Sequence, residues 1–574
     1  MAHDRDEKWA RFIAGIAIIL ITVIVYLPAV KGGFIWDDDD YVTENSNLRN
    51  VEGLKKIWLD PISLPQYYPM VFTTFWIEYH IWQTNPIGYH LTNVTLHALC
   101  AVLLWIILQY LHLPCAWLTA IIFAIHPVHV ESVAWITERK NLLSGLFYLS
   151  SLLVYIRFAG LDKSTLYKRQ WSLYCLSLGL FICALLSKTV TASLPAVIML
   201  LLWWKRDSIL RQEIILLLPF FLIGAIMGII TVWIEINHVG AQGKEWMFSL
   251  TDRTLIAGRA LWFYFSKIVW PAPLMFIYPR WNIDSNIWWQ YLYPLGAITI
   301  IAGLFLLYRY RFTGKSPLAA VSIFYVTLSP ALGFINIYPF RYSFVADHFQ
   351  YLASISLIVL FTGILTWYKN RYKVINTIIS LLIVCILGIL TWRQGYIYQD
   401  QETLWRDTLK KNPSAFIAHN NLGIILSEQG KSEEAIAHYM KALQFKSDRE
   451  KAHNNLGLVL AEQGKVKDAI IHYREALQIK GDYADAHYNL GVILSKQGKM
   501  EEAIAHYMKV LKINPDNDIV YNSIGVALAK LGRIKEASAY FSKAVQINPD
   551  FTNAQRNLRL AIEKMGNRNR DHKK

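Results

Sequence analysis

Long apolar runs recur through the first part of the chain and stop abruptly near residue 393. A helix needs roughly 20 apolar residues to cover the hydrocarbon of a bilayer. On that measure the pattern predicts eleven membrane spans, at 12–30, 91–111, 113–126, 141–157, 171–187, 189–204, 213–234, 288–308, 317–336, 348–366 and 374–392. The first is too long for a signal-peptide core and has no small-residue cleavage site close behind it, so it reads as an uncleaved span. The stretch 252–270 is apolar in its middle but carries Asp252, Arg253, Arg259 and Lys267. A charge at the bilayer centre costs about 2.5–3.5 kcal/mol even on a lenient scale, so this segment reads as an interfacial or re-entrant helix. The fold class is therefore all-α: a polytopic membrane domain over 1–392, with long outer loops at 31–90 and 235–287, followed by a soluble part.

The soluble part has a period. Gly423, Gly457, Gly491 and Gly525 stand 34 residues apart, as do Gly430, Gly464, Gly498 and Gly532. Ala435, Ala469, Ala503 and Ala537 keep the step, followed by Tyr439, Tyr473, Tyr507 and Phe541. This is the pattern of the tetratricopeptide repeat, two antiparallel helices per unit. The second Gly set falls at the turn between helices, where φ > 0 is expected. Residues 393–412 read as a junction with a half repeat containing Trp405, 413–566 as four repeats with a capping helix, and 567–574 as a basic tail.

Composition agrees with a membrane protein: 54% of residues are hydrophobic and 17% charged, against about 25% charged in ordinary soluble chains. The net charge of +15 finds its place in the loops. With the N-terminus cytoplasmic and eleven spans, Arg157 to Arg169, Lys205 to Arg211, Arg309 to Lys315 and Lys369 to Lys373 all lie inside, as the positive-inside rule asks. The repeats then lie outside, which for a bacterial inner membrane is the periplasm, and nucleic acid is not needed to explain the charge. The five cysteines sit in apolar stretches without close pairs, which supports neither a disulfide framework nor a zinc site.

Ionisable residues collect on the outer face. Asp37 to Asp40 follow the first span directly; four adjacent carboxylates suit a general base or a divalent cation, or simply a solvated acidic loop. His126, His129 and Glu131 end the short third span, followed by Arg139 and Lys140 before the next. These read either as a carboxylate with phosphate-binding cations or as helix caps and snorkelling side chains. Lys188 and the segment with Arg341, Asp347 and His348 complete the outer-face set. In the repeats, Asn421, Asn455 and Asn489 share one position, where a carboxamide can hold a peptide backbone or bond within the repeat; Ser523 replaces it in the fourth unit. No P-loop, HExxH or GxSxG is present.

The segments GGFIWDDDDYVTENSNL, NPIGYHLTNVTLHAL, HPVHVESVAWITERKNLLSGLF and ADHFQYLAS, followed by such repeats, resemble the transmembrane and tetratricopeptide repeat-containing O-mannosyltransferases and their bacterial relatives, polytopic glycosyltransferases of C-type fold. The resemblance implies transfer of a sugar from a polyprenyl-phosphate donor to an acceptor, protein Ser/Thr by analogy, on the outer face, with no cofactor beyond the donor and a divalent cation as an open question. It puts the family's Asp pair on Asp37 and Asp38, a positioning carboxylate on Glu131, and a donor-phosphate contact on Arg139 with Lys140. The chain departs from the family pattern at Tyr68 before Pro69, at Thr189 after Lys188, and at His348, where an Arg is frequent. Two other classes fit the outline: an O-antigen ligase or polymerase, dependent on late-loop Arg and His, and a non-enzymatic membrane scaffold displaying a binding solenoid.

Overall fold

The computed structural model describes residues 2–161, 170–206, 210–369, 373–445 and 449–571. Parts of the basic loops expected at 157–169, 205–211 and 369–373, and the end of the basic tail, lie outside the described residues. The described secondary structure is helical throughout, and the chain divides into two compact units, Met1–Pro413 and Ser414–Lys574.

Among the described residues of the first unit, five helical stretches are long and apolar enough to span a membrane: Pro86–Tyr110, Ile136–Ala159, Arg211–Val239, Trp288–Arg309 and Val374–Ile397. A sixth forms if Ala116–Ala124 and Pro127–Ala134, bent by 52°, count as one broken span. The other five expected spans are present as shorter apolar helices of 10–17 residues, Trp9–Val25, Trp171–Leu185, Thr189–Lys205, Ser316–Ala331 and Ser354–Trp367. The full count of eleven thus exceeds what length and composition alone establish.

Local chemistry explains the ends of the central elements. Helix α1 (Pro86–Tyr110) starts where the Asn85 side chain accepts the Ile87 N–H and Pro86 presets the first turn. Helix α2 (Arg139–Ala159) stops at Gly160, whose φ of 64° closes it in the left-handed region. The break at His126 follows from Pro127, which has no N–H to continue the preceding helix.

The charged segment 252–270 forms α3 (Leu250–Val269), opened by a Ser249–Asp252 capping box. Its apolar face, including Leu255, Ile256, Leu261 and Tyr264, is buried, while the Arg259 guanidinium lies 4.5 Å from the Trp281 ring centre. That amphipathic habit, rather than uniform apolarity, is why α3 is not a spanning helix by composition.

Helix α4 (Gln401–Lys411) belongs to the first unit, although it carries the half repeat of the sequence pattern. Lys411 donates to the Leu274 carbonyl at 2.8 Å and Asn412 to the Ile277 carbonyl at 3.1 Å.

The second unit stacks four helix pairs, beginning with Phe416–Glu428 and Ser432–Ala442, and ends on Thr552–Asp571. The two Gly sets have different reasons. A Cβ on Gly423, Gly457, Gly491 or Gly525 would stand 2.5–2.8 Å from the ring of Tyr439, Tyr473, Tyr507 or Phe541 respectively, so only hydrogen fits between the paired helices. Gly430, Gly464, Gly498 and Gly532 have open space but φ of 74–82°, as a left-handed turn requires.

Replacing Gly491 by Ala is expected to destabilise its repeat by about 1–3 kcal/mol through overpacking. Combining it with Tyr507→Leu should cost less than the sum of the two single changes. Hydrogen exchange across 484–513 in the intact protein reads both; additive losses would contradict the ring contact as the cause.

Candidate active site

Two distant loop segments are joined by one buried carboxylate. Asp38 is fully buried; its Oδ2 accepts the Ile35 N–H at 2.8 Å, and its Oδ1 accepts the Thr137 N–H at 2.8 Å and hydroxyl at 2.6 Å. Burial pushes its pKa up to about 7, although these donors pull the other way. Asp37, one residue earlier, is half-buried and acts electrostatically on Lys140. Asp38 is thus engaged in holding the loops, whereas Asp37 acts on Lys140, one of two cations at the site with Lys188.

Those cations converge on Glu138. Its Oε1 lies 2.9 Å from Lys140 Nζ and its Oε2 3.2 Å from Lys188 Nζ. Asn141 braces the arrangement, donating to Glu138 Oε2 at 2.6 Å and accepting from Lys188 at 2.8 Å. Burial lowers the Lys188 pKa to about 8, with Glu138 opposing the shift and Lys140 adding to it. Lys140 also lies 5.5 Å from the Tyr41 ring centre and 5.7 Å from that of Trp135.

Glu131 and His348 form the adjoining pair. Glu131 Oε2 accepts the His348 N–H at 2.9 Å, and Oε1 lies 3.0 Å from His348 Nδ1. His348 Nε2 stands 3.8 Å from Glu138, which links the pair to the lysines. Neighbouring Asp347 receives the Tyr278 hydroxyl on both oxygens, at 3.0 and 3.1 Å. Burial, and then the charge of Glu131, raise Asp347 well above the usual carboxylate range.

The structure therefore brings together Asp37, Asp38, Glu131, Lys140, Lys188 and His348 from four distant segments. Other candidates point elsewhere. Arg139 is fully buried and turned inward, onto Glu78, Asn93 Oδ1 at 2.8 Å and the Tyr89 carbonyl at 2.8 Å, beneath the Phe75 ring. A guanidinium so committed is not set out for a donor phosphate, and that expectation is corrected. His126 bonds the Ile268 carbonyl, and His129 bonds the Phe123 carbonyl and Ser354 hydroxyl, so both brace the broken span rather than the cluster. Arg341 pairs with Glu245 at 2.9 Å. Among the described residues no group of three or more His, Cys, Asp or Glu is placed to hold a metal ion. Glu138, the hub, is not among the residues singled out individually above; its signal in the sequence is a lone acid before two basic positions in ITERK.

In the repeats, the asparagines bond from unit to unit. Asn455 donates to Asn420 Oδ1 at 3.1 Å and Asn489 to Asn454 Oδ1 at 3.0 Å. Asn557, one period beyond Ser523, resumes the series in the last helix, donating to Asn522 at 2.9 Å. Asn421, Asn455 and Asn489 stay half-exposed, so these amides are oriented by the stack and still reachable.

Family models for the tetratricopeptide repeat match residues 484–517, 519–551 and 404–437, and a TPR repeat model matches 423–464 and 457–498. A protein O-mannosyl-transferase of Caenorhabditis elegans is 24% identical over 482 residues, covering 78% of this chain and 65% of that one. Protein O-mannosyl-transferase TMTC3 of Homo sapiens is 22% identical over 489 residues, 75% of this chain and 51% of that one; TMTC4 of Mus musculus is 25% identical, covering 75% and 66%. This chain is a relative of the transmembrane and tetratricopeptide repeat-containing O-mannosyltransferases. It spans about half to two thirds of the length of those curated relatives. A crystal structure of MamA protein is 28% identical over 26% of this chain and 81% of that one, with a TM-score of 0.24.

The repeats of this relative carry a further regularity. His419 and His438, His453 and His472, and His487 and His506 face each other with Nδ1 atoms 2.9–3.0 Å apart. Such a contact needs one nitrogen protonated and one bare, so a second proton on a pair breaks it. Burial lowers His453 and His506 to about 4 and also depresses His472 and His487. With folded values below the unfolded 6.5, the unfolded chain binds more protons. The contribution is full above about 6.5 and is lost as pH falls through about 4. The repeats should therefore exchange amide hydrogens more readily, after correction for intrinsic rates, at pH 4.5 than at pH 7. A triple His438→Gln/His472→Gln/His506→Gln variant should flatten that dependence.

Proposed function

We propose that this chain is a membrane glycosyltransferase that moves a sugar from a polyprenyl-phosphate donor to an acceptor hydroxyl on its outer face, with protein Ser/Thr as the acceptor class. Mannose is the sugar named in its relatives. The observation that carries the reading is that Glu138 fixes Lys140 and Lys188 together while Thr137, one residue before it, ties Asp38 and so brings its neighbour Asp37 under the charge of Lys140. Asp37 takes the proton of the acceptor hydroxyl as its oxygen forms a bond to the anomeric carbon. The bond from that carbon to the phosphate oxygen breaks, and its electron pair leaves with the lipid phosphate. Lys140 and Lys188 stabilise the charge growing there. Asp38 and Glu138 hold base and cations in register, and Glu131 fixes His348 against them.

Two features supply context. An apolar cavity of about 510 Å³, lined by Leu261, Ala297, Ile301, Phe305 and Leu318, offers room for part of an isoprenoid chain. The repeats, with their oriented asparagines, suit the recruitment of an extended acceptor or partner protein, and tethering raises its effective concentration. The excess of Lys and Arg in the opposite loops supports a reading in which the Asp37 face and the repeats lie on the periplasmic side of an inner membrane.

Membranes carrying wild type or variants at matched abundance, given radiolabelled polyprenyl-phosphate hexoses, test the reading through label in protein, lipid and polymer fractions. Asp37→Asn should lower transfer about 10²–10⁴-fold, the range for a lost general base. Lys140→Gln and Lys188→Gln should each lower kcat/KM by about 10²-fold or more. Equal transfer by wild type and Asp37→Asn would remove the first-loop base and favour a ligase or polymerase. Label that stays on lipid with every hexose would favour a binding scaffold.

A further inference from the structure

The residue before Asp37 is held in an unusual state. Trp36 has φ of 46°, a left-handed conformation that bulky side chains rarely adopt and that costs about 1–3 kcal/mol. It persists because the indole is enclosed on several sides. Trp135 stacks on it with ring centres 5.5 Å apart and planes 12° from parallel. Phe276 meets it edge-on at 5.2 Å and Trp405 at 5.7 Å, and Phe276 and Trp405 pack on each other at 5.5 Å. Trp405 has no exposed surface. The chain leading into α4 touches the same loop, since Gly33 N–H donates to the Gln399 carbonyl at 2.8 Å and a Cβ on Gly32 would stand only 3.0 Å from the Tyr398 carbonyl oxygen.

Helix α4 opens the segment that a repeat model matches, yet its Trp405 is part of the wall behind the first outer loop. We propose that Trp405 is a positioning residue that aims the Asp37 carboxylate by clamping Trp36, an inference that rests on Asp37 being the base of the proposed transfer. Because Trp36 is strained, loss of one wall lets residue 36 relax toward negative φ. The peptide that follows then rotates, and Asp37 turns with it. A misplacement near 1 Å is enough to cost about 10²-fold in rate without any change in the groups that hold the donor.

The test uses the full chain in membranes, with Trp405→Ala and Trp405→Phe, and two readouts. The first replaces Asp37 by Cys and follows its labelling by a charged, membrane-impermeant thiol reagent, with the Asp37 parent as background. Trp405→Ala should speed labelling at least about threefold, and Trp405→Phe should restore it. The second reads transfer with Asp37 intact. Trp405→Ala should lower kcat by about 10–100-fold with the donor KM within about twofold, and Trp405→Phe should recover most of it. If Trp405→Ala does not accumulate, Trp405→Leu fills the space without an aromatic face and is expected to behave like Ala. Unchanged labelling, or a Phe variant as impaired as Ala at equal abundance, overturns the proposal. If the parent transfers no sugar, the proposed activity fails and the labelling readout alone decides the positioning.

Discussion

A carboxylate without exposed surface has to be solvated by the protein itself, because removing it from water costs several kcal/mol. Asp38 meets that demand with three donors, two of them from Thr137, 99 positions further along the chain. The segments around Asp38 and Thr137 are consequently one object. Thr137 is followed by Glu138, so the tie that satisfies Asp38 also fixes where Glu138 stands. Glu138 in turn fixes Lys140 and Lys188. Remove the tie, and Asp37 and the two lysines lose their common frame.

Much of this was legible in the sequence, for physical reasons. The helical class, the two-part organisation and the repeat follow from apolar run length and from a 34-residue step, both of which are local signals. Even the contrast between the two Gly sets was half readable, since a turn announces itself where the packing against Tyr439 and its equivalents does not. The direction of a side chain is a different kind of information. Arg139 and Lys140 are adjacent in sequence and opposite in role, because successive residues of a helix point about 100° apart. One enters the interior to meet Glu78 and the other turns to Glu138. Nothing in the residues 136–141 alone announces which, because Glu78 sits on a separate helix, Pro69–Trp82.

The asparagine series shows the same limit in the repeats. The shared position of Asn421, Asn455 and Asn489 was visible, and so was the gap at Ser523. The neighbouring carboxamides of Asn420, Asn454 and Asn522, which accept the bonds, needed the stack to give them partners. The result is that each unit orders its neighbour's amide, which rigidifies a row of otherwise flexible side chains.

The two units differ in the reach of their contacts. Each Gly–Tyr interface in the repeats closes within about 16 positions, so a unit can form as soon as it is made. The membrane unit closes over far longer distances: His97 meets Tyr351, His129 meets Ser354, and Trp36 waits for Trp405. A chain emerging from the ribosome N-terminus first therefore carries its acidic loop unfinished past every apolar helix. The wall behind Asp37 is complete only once synthesis has passed residue 405. A nascent or prematurely ended chain lacking that helix has all the ionisable groups of the cluster but an incomplete socket for Trp36, so biogenesis itself postpones the assembled site until the membrane helices have been made.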